Sequence, residues 1–221
     1  MMLANPLLGE AITFSENTIN TIVLENAVMF RNSVTGITEQ ANGGCGDFVV
    51  SENFEPLDFG KTVEMITDVF SLDFSAKRFS AKINQQAIAA SADYDSLTAE
   101  IFEKLNALAG EIITSVNYEI TYSSPEDISG IIKVLNFSID SESLNLPEKL
   151  FEYIKLCRDF FGKKLFVVVN IKSCLSSEEL ILFCKSICYE KFDVLFLESF
   201  QRDFADEHEK VRIIDADLCE I

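Results

Sequence analysis

Between residues 163 and 199 two short apolar runs flank one amphipathic helix pattern, and few folds accept that order. The run LFVVVN at 165–170 is continuous, apolar and rich in β-branched residues. A run of this kind predicts a strand covered on both faces, as in a parallel sheet. Ser176 and Glu179 then stand at capping-box spacing, with Leu175 and Leu180 at the two staple positions. Leu180, Ile181, Cys184, Ile187 and Cys188 recur at helical intervals, and FDVLFLE at 192–198 is a second buried run. Strand, helix and strand with short joints predict a βαβ unit with a right-handed crossover. The chain therefore has an α/β core.

The remaining segments are fitted around that unit. Residues 11–14 and 18–24 are expected to be two strands joined by a turn at 15–17, and residues 25–34 a helix with a ragged apolar stripe. GGCG at 43–46 is a loop, 48–50 a short strand, and 63–66 another strand. From about 71 to 161 the period is helical. Leu97, Ile101, Leu105, Leu108, Ile112 and Val116 trace one face of a long helix. A shorter helix is expected to open at Ser124-Pro125, with Ile128, Ile131, Ile132 and Leu135 as its apolar face. A third starts near Pro147, packs through Leu150, Phe151, Ile154 and Phe161, and stops at Gly162. Residues 211–214 read as a last strand. The resulting layout is an α/β domain built from 1–72 and 162–221, with a helical insertion at 73–161.

Composition narrows the chemistry. The 221 residues suffice for one large domain or two small ones. No stretch approaches the about 18 uninterrupted apolar residues of a membrane span, and the first residues show neither a basic nor a long apolar signal region. The six cysteines form no CxxC pair and no ligand cluster, so reduced thiols and a cytoplasmic location are expected. The net charge of −18 by itself opposes nucleic-acid binding. Gly60-Lys61-Thr62 ends like a Walker A motif, but that motif needs a glycine where Glu55 stands and a strand before the loop. A turn before a strand is the better reading. His208 is the sole histidine and lies in an acidic stretch, so no nucleophile–His pair is expected.

Two local features stand out against that background. Residues 74–92 contain Lys77, Arg78 and Lys82 and no acid, a basic island in an acidic chain. On a helix Arg78 and Lys82 project from one face. They are either a solvated surface or a phosphate-contacting patch, and the second needs several copies gathered around one duplex. Four copies would supply about a dozen cations. Glu119, Glu126 and Asp127 bracket the loop 120–125. They could offer oxygen ligands to a hard cation such as Ca²⁺. The spacing is not that of an EF-hand, and Asp127 is explained as well by a first-turn acid on a helix dipole.

Taken together, KKLFVVVN at 163–170, LSSEE at 175–179 and VLFLE at 194–198 resemble the small adaptation protein family of type II-A CRISPR systems. MITD at 65–68, LDF at 72–74, Glu148-Lys149 and IIDAD at 213–217 agree in order and spacing. The likeness covers about two thirds of the chain. It implies a degenerate P-loop-like parallel-sheet head that uses no nucleotide, with an inserted helical leg. It further implies a homotetrameric ring that takes double-stranded DNA ends through a hole lined by Lys and Arg, with Ca²⁺ positioning the legs. The role would be non-catalytic support of spacer acquisition beside a CRISPR integrase and an RNA-guided nuclease. A small nucleotide-dependent phosphotransferase, or an acidic protein-interaction subunit without a nucleic-acid role, are the alternative readings.

Overall fold

A computed structural model describes residues 1–125, 127–202 and 208–221. The chain divides into two compact units, Met1–Leu72 with Glu142–Ile221, and Asp73–Ser141. In chain order the first unit opens with β1 (Met2–Ala4), β2 (Ile12–Thr13), β3 (Ile19–Leu24), α1 (Ala27–Ala41), β4 (Val49–Glu52), β5 (Glu55–Pro56), α2 (Phe59–Thr62) and β6 (Val63–Ile66). The second unit contains α3 (Lys77–Ser91), α4 (Asp95–Ser115) and α5 (Ser129–Leu135). The first unit resumes with α6 (Leu146–Phe161), β7 (Leu165–Val169), α7 (Ser177–Tyr189), β8 (Asp193–Glu198) and β9 (Glu209–Ile214).

Among the described residues, the larger sheet runs β6-β7-β8-β3-β9, and every neighbouring pair is parallel. Every residue of β3 and of β7 is buried, as the continuous apolar runs require of strands covered on both faces. One face carries Ile22, Leu24, Leu165, Val167, Leu195 and Leu197 in a core shared with Met29 and Ile37 of α1. The alternate residues meet α6 and α7 through ring contacts. Phe151 and Phe166 both stand edge-on to Phe192, and Phe183 stacks on Phe196 with centroids 6.3 Å apart.

The predicted βαβ unit is present as β7, α7 and β8. Its capping box forms: the Ser176 hydroxyl accepts from the Glu179 N–H, and the Glu179 carboxylate accepts from the Ser176 N–H. A second box closes α6 through Asn145 and Glu148, and Gly162 ends that helix at φ +69°. Asn170, just past β7 at φ +51°, accepts from the N–H and hydroxyl of Ser199 and so ties the ends of β7 and β8 together.

Several expectations are corrected. The segments at 11–14 and 18–24 do form strands, but not with each other. β2 pairs antiparallel with β1 in a smaller sheet, β2-β1-β4-β5, whereas β3 lies inside the parallel one. Helix α1 runs on to Ala41, because Ile37 is buried and the Gln40 amide bonds both the N–H and the C=O of Phe48 at 2.9 Å. Helix α5 begins at Ser129 rather than at Ser124-Pro125. The Asp127 carboxylate takes the Ser129 N–H, a local side-chain bond that competes with an earlier helical start. The second unit ends at Ser141 and not at 161, because α6 packs on α7 over the parallel sheet.

Candidate nucleic-acid interface

The basic island becomes the start of α3. Lys77 and Arg78 are exposed in its first turn and Lys82 is half-buried one turn on. Phe79 is fully buried and its ring lies 6.5 Å from that of Phe74, which anchors the turn. The Arg78 guanidinium sits 4.9 Å from the Phe79 centroid. No side chain caps this helix N-terminus, whose N-cap is Ala76. Cations at the positive end of a helix dipole oppose helix stability, where an acid would favour it. Lys77 and Arg78 thus put two cations at this helix start, where the Asp73 carboxylate also stands, accepting from the N–H and hydroxyl of Ser75.

Tertiary packing adds a residue that the charge pattern did not show. Helix α5 packs against α3, and Lys133 joins Lys77, Ser80, Asn84, Gln85 and Ile88 around a groove of about 530 Å³. Lys133 lies more than fifty positions downstream, within an apolar helix pattern, so no sequence window links it to the island.

Only two of the three expected carboxylates lie among the described residues. Glu126 lies outside the described residues. Glu119 is exposed, and the side chain of Ser129, with its N–H, bonds the Asp127 carboxylate and holds it below the usual aspartate range. Among the described residues no three His, Cys, Asp or Glu side chains form a group that could hold a metal ion. Ca²⁺ takes six to eight oxygens, and Glu119 with Asp127 falls short of that number.

The two positions that could suggest a phosphate site both carry side-chain helix caps. Gly60-Lys61-Thr62 lies in the single turn of α2, directly ahead of β6, and the Asp58 carboxylate accepts from the Lys61 N–H at 2.9 Å. Where β3 feeds α1, the place a phosphate loop would occupy in a parallel sheet, the Asn26 side chain accepts from the N–H groups of Val28 and Met29 at 3.1 Å. The donors a phosphate would use are taken, and Glu25 stands beside them.

A buried polar cluster crosses the parallel sheet instead. Lys172 Nζ lies 2.6 Å from Glu209 Oε1, and Thr21 donates its hydroxyl to the same carboxylate. Glu198, 1% exposed, accepts from the Lys172 N–H. Burial pushes the Glu198 carboxyl up, against the opposing pull of that N–H and of the Lys172 charge. The folded protein thus holds this proton to higher pH than the unfolded chain does. The stability it contributes is complete below the ordinary glutamate value and is lost as pH rises through the raised one. Glu198→Gln keeps an acceptor for the Lys172 N–H and cannot ionise. In urea unfolding against pH, the variant is expected to match the wild type in acid and to exceed it at neutral pH.

Comparison with known proteins is decisive on one point. Residues 40–218 match the family described as CRISPR-associated protein (Cas_Csn2). The chain belongs to this family. A curated relative, the CRISPR-associated protein Csn2 of Streptococcus agalactiae, is 35% identical over 99 residues. The aligned part is 43% of this chain and spans only 45% of that relative's length. The Csn2 match takes in the whole second unit and β4 through β9, and leaves β1 to β3 and most of α1 outside it. Among the described residues no helix is long and apolar enough to cross a membrane.

Proposed function

We propose that this Csn2-family chain is a non-catalytic, double-stranded DNA-binding subunit that supports spacer acquisition in CRISPR adaptation, acting in the cytoplasm as a ring-shaped homotetramer. The observation that carries the reading is the uncapped start of α3, with Lys77, Arg78, Lys82 and the adjoining Lys133, in a chain of net charge −18. Four cations per copy, repeated by symmetry, give a locally basic surface. Asp127 lies near enough to act on Lys133, whereas more distant acids act weakly, since screening limits repulsion beyond about 8 Å at physiological salt. In this reading the parallel-sheet unit is a degenerate P-loop-like head and the helical unit a leg.

The proposed oligomer has its own support. Leu97, Leu105, Leu108 and Ile112 of α4, and Val116 just past its end, recur at helical spacing, yet each is more than a third exposed. A stripe of this length on a soluble surface marks a contact face, and symmetric copies of one chain are the commonest way to cover one. Leu108→Asp with Ile112→Asp, one helical turn apart, is expected to reduce the mass seen by light scattering to that of a smaller species. Circular dichroism should stay unchanged, because neither side chain is buried within its unit.

Duplex binding followed by fluorescence anisotropy over a salt series tests the DNA reading. Affinity is expected to fall steeply and linearly on a log–log plot. Binding that ignores both salt and duplex would refute it. Ca²⁺ would be held by Glu119, Glu126 and Asp127 together with oxygens from beyond this set, since it takes six to eight. The phosphotransferase reading is disfavoured by the closed N-termini at Asn26 and Asp58. The integrase and the RNA-guided nuclease remain proposed partners.

A further inference from the structure

Helices α6 and α7 enclose a groove of about 400 Å³ that no part of the DNA reading uses. Leu144, Pro147, Phe151, Leu182 and Phe183 give it an apolar lining, while Glu148, Glu152 and Glu179 supply charge. Among the described residues no Lys, Arg or His lines it. The two neighbours on α7 differ sharply. Phe183 is 2% exposed and serves the core, whereas Leu182 is 65% exposed and serves nothing within its unit. On the same helical face Ser186 lines the groove one turn on, and Tyr189, 86% exposed, follows it. A small residue between two large exposed ones leaves room for a partner's side chain, in the manner of a hole receiving a knob.

The charge balance narrows the occupant. Glu148 and Glu179 close the capping boxes of α6 and α7. Bonds from the Ser176 N–H and hydroxyl hold Glu179 below the usual carboxylate range. Each helix N-terminus offsets only about half a charge, so three carboxylates outweigh two helix ends. Such a groove repels nucleic acid, anionic lipid and an identical acidic groove. It favours an apolar side chain flanked by cations.

We propose that the α6/α7 groove docks a basic amphipathic helix of another protein, with a leucine-like side chain seated against Leu182 and Phe151 and Lys or Arg against Glu148, Glu152 and Glu179. This is helix-in-groove recognition. It lies wholly within the parallel-sheet unit and does not depend on DNA binding.

The test uses the full chain and a fluorescent helical peptide of repeating Leu-Leu-Lys-Lys, read by anisotropy at physiological salt. Glu152→Lys and Leu182→Asp are each expected to weaken binding roughly tenfold or more. Asp217→Lys, an exposed site with the same charge change as Glu152→Lys, is expected to change it less than about twofold. Leu182→Asp is the more telling variant, because it adds negative charge and would strengthen a purely electrostatic association. A peptide with Ser in place of Leu should not bind. Three results overturn the proposal. They are no binding to the wild type, equal losses for Glu152→Lys and Asp217→Lys with none for Leu182→Asp, or a fall in the peptide-free protein's mass on Leu182→Asp. The last would give the groove to a second copy of this chain. Circular dichroism of the variants checks the fold, Leu182 and Asp217 being exposed and Glu152 half-buried.

Discussion

Lys163→Met is expected to destabilise the protein by about 3–5 kcal/mol, the usual cost of leaving one partner of a buried ion pair behind. The Lys163 ammonium donates to the carbonyls of Gly60 and Val63, both at 2.7 Å, and stands 3.3 Å from Glu64 Oε2. The two side chains are only 10% and 9% exposed. Lys163 follows the Gly162 stop of α6, so one side chain joins the end of that helix to α2 and to β6. Without it, Glu64 loses its ammonium partner while the Tyr153 hydroxyl still donates to it at 3.0 Å, and two carbonyls lose a donor. Lys163→Met with Glu64→Gln should recover more than half of the loss, since Gln still accepts from Tyr153 without a buried charge. Lys164→Met is the contrast. Its partner Glu52 is about as exposed as Lys164 itself, and exposed pairs of this kind contribute little. Urea midpoints of the four proteins separate these cases. Near-equal effects of Lys163→Met and Lys164→Met would show that burial does not govern the pair.

Reversing Lys77, Arg78 and Lys82 together to Glu is expected to abolish duplex binding, with a fall of roughly a thousandfold or more at physiological salt. Three cations in each of four copies make twelve, and if half face the duplex at once there are about six phosphate contacts. Six contacts give a log–log salt slope near about −5. Lys133→Glu alone should lower the slope by a smaller amount and weaken all duplex sequences equally, as phosphate contacts do. The triple variant is expected to keep its fold, because Lys77 and Arg78 are exposed in the first turn of α3 and acids there suit the helix dipole better than the native cations. A more stable helix with lost binding would separate the two roles.

The parts of this fold legible in the sequence are those decided locally. The run at 165–170, the Ser176/Glu179 box and the Gly162 stop each depend on a few adjacent residues, and each stands where the pattern puts it. The pairing of the small antiparallel sheet was not legible, because β1 and β5 are two or three residues long and give no period to read. Periodicity traced the stripe on α4 correctly but could not say that it faces outward, since a buried face and a contact face share one pattern. The site divided in the same way. The island at Lys77, Arg78 and Lys82 is contiguous and visible, whereas Lys133 reaches it only through the packing of α5 on α3. Asn26 and Asp58, which close the two positions that could have suggested nucleotide binding, are common caps whose effect on function is apparent only from the bonds they make.

The most direct test of the central claim compares linear with covalently closed duplex DNA of equal length and sequence, with the protein's mass recorded by light scattering. A tetramer that loads onto linear DNA, fails to load onto closed circles and is lost from linear DNA as salt rises is the expected result. A monomer or dimer, or a tetramer that binds neither form at low salt, would contradict the account.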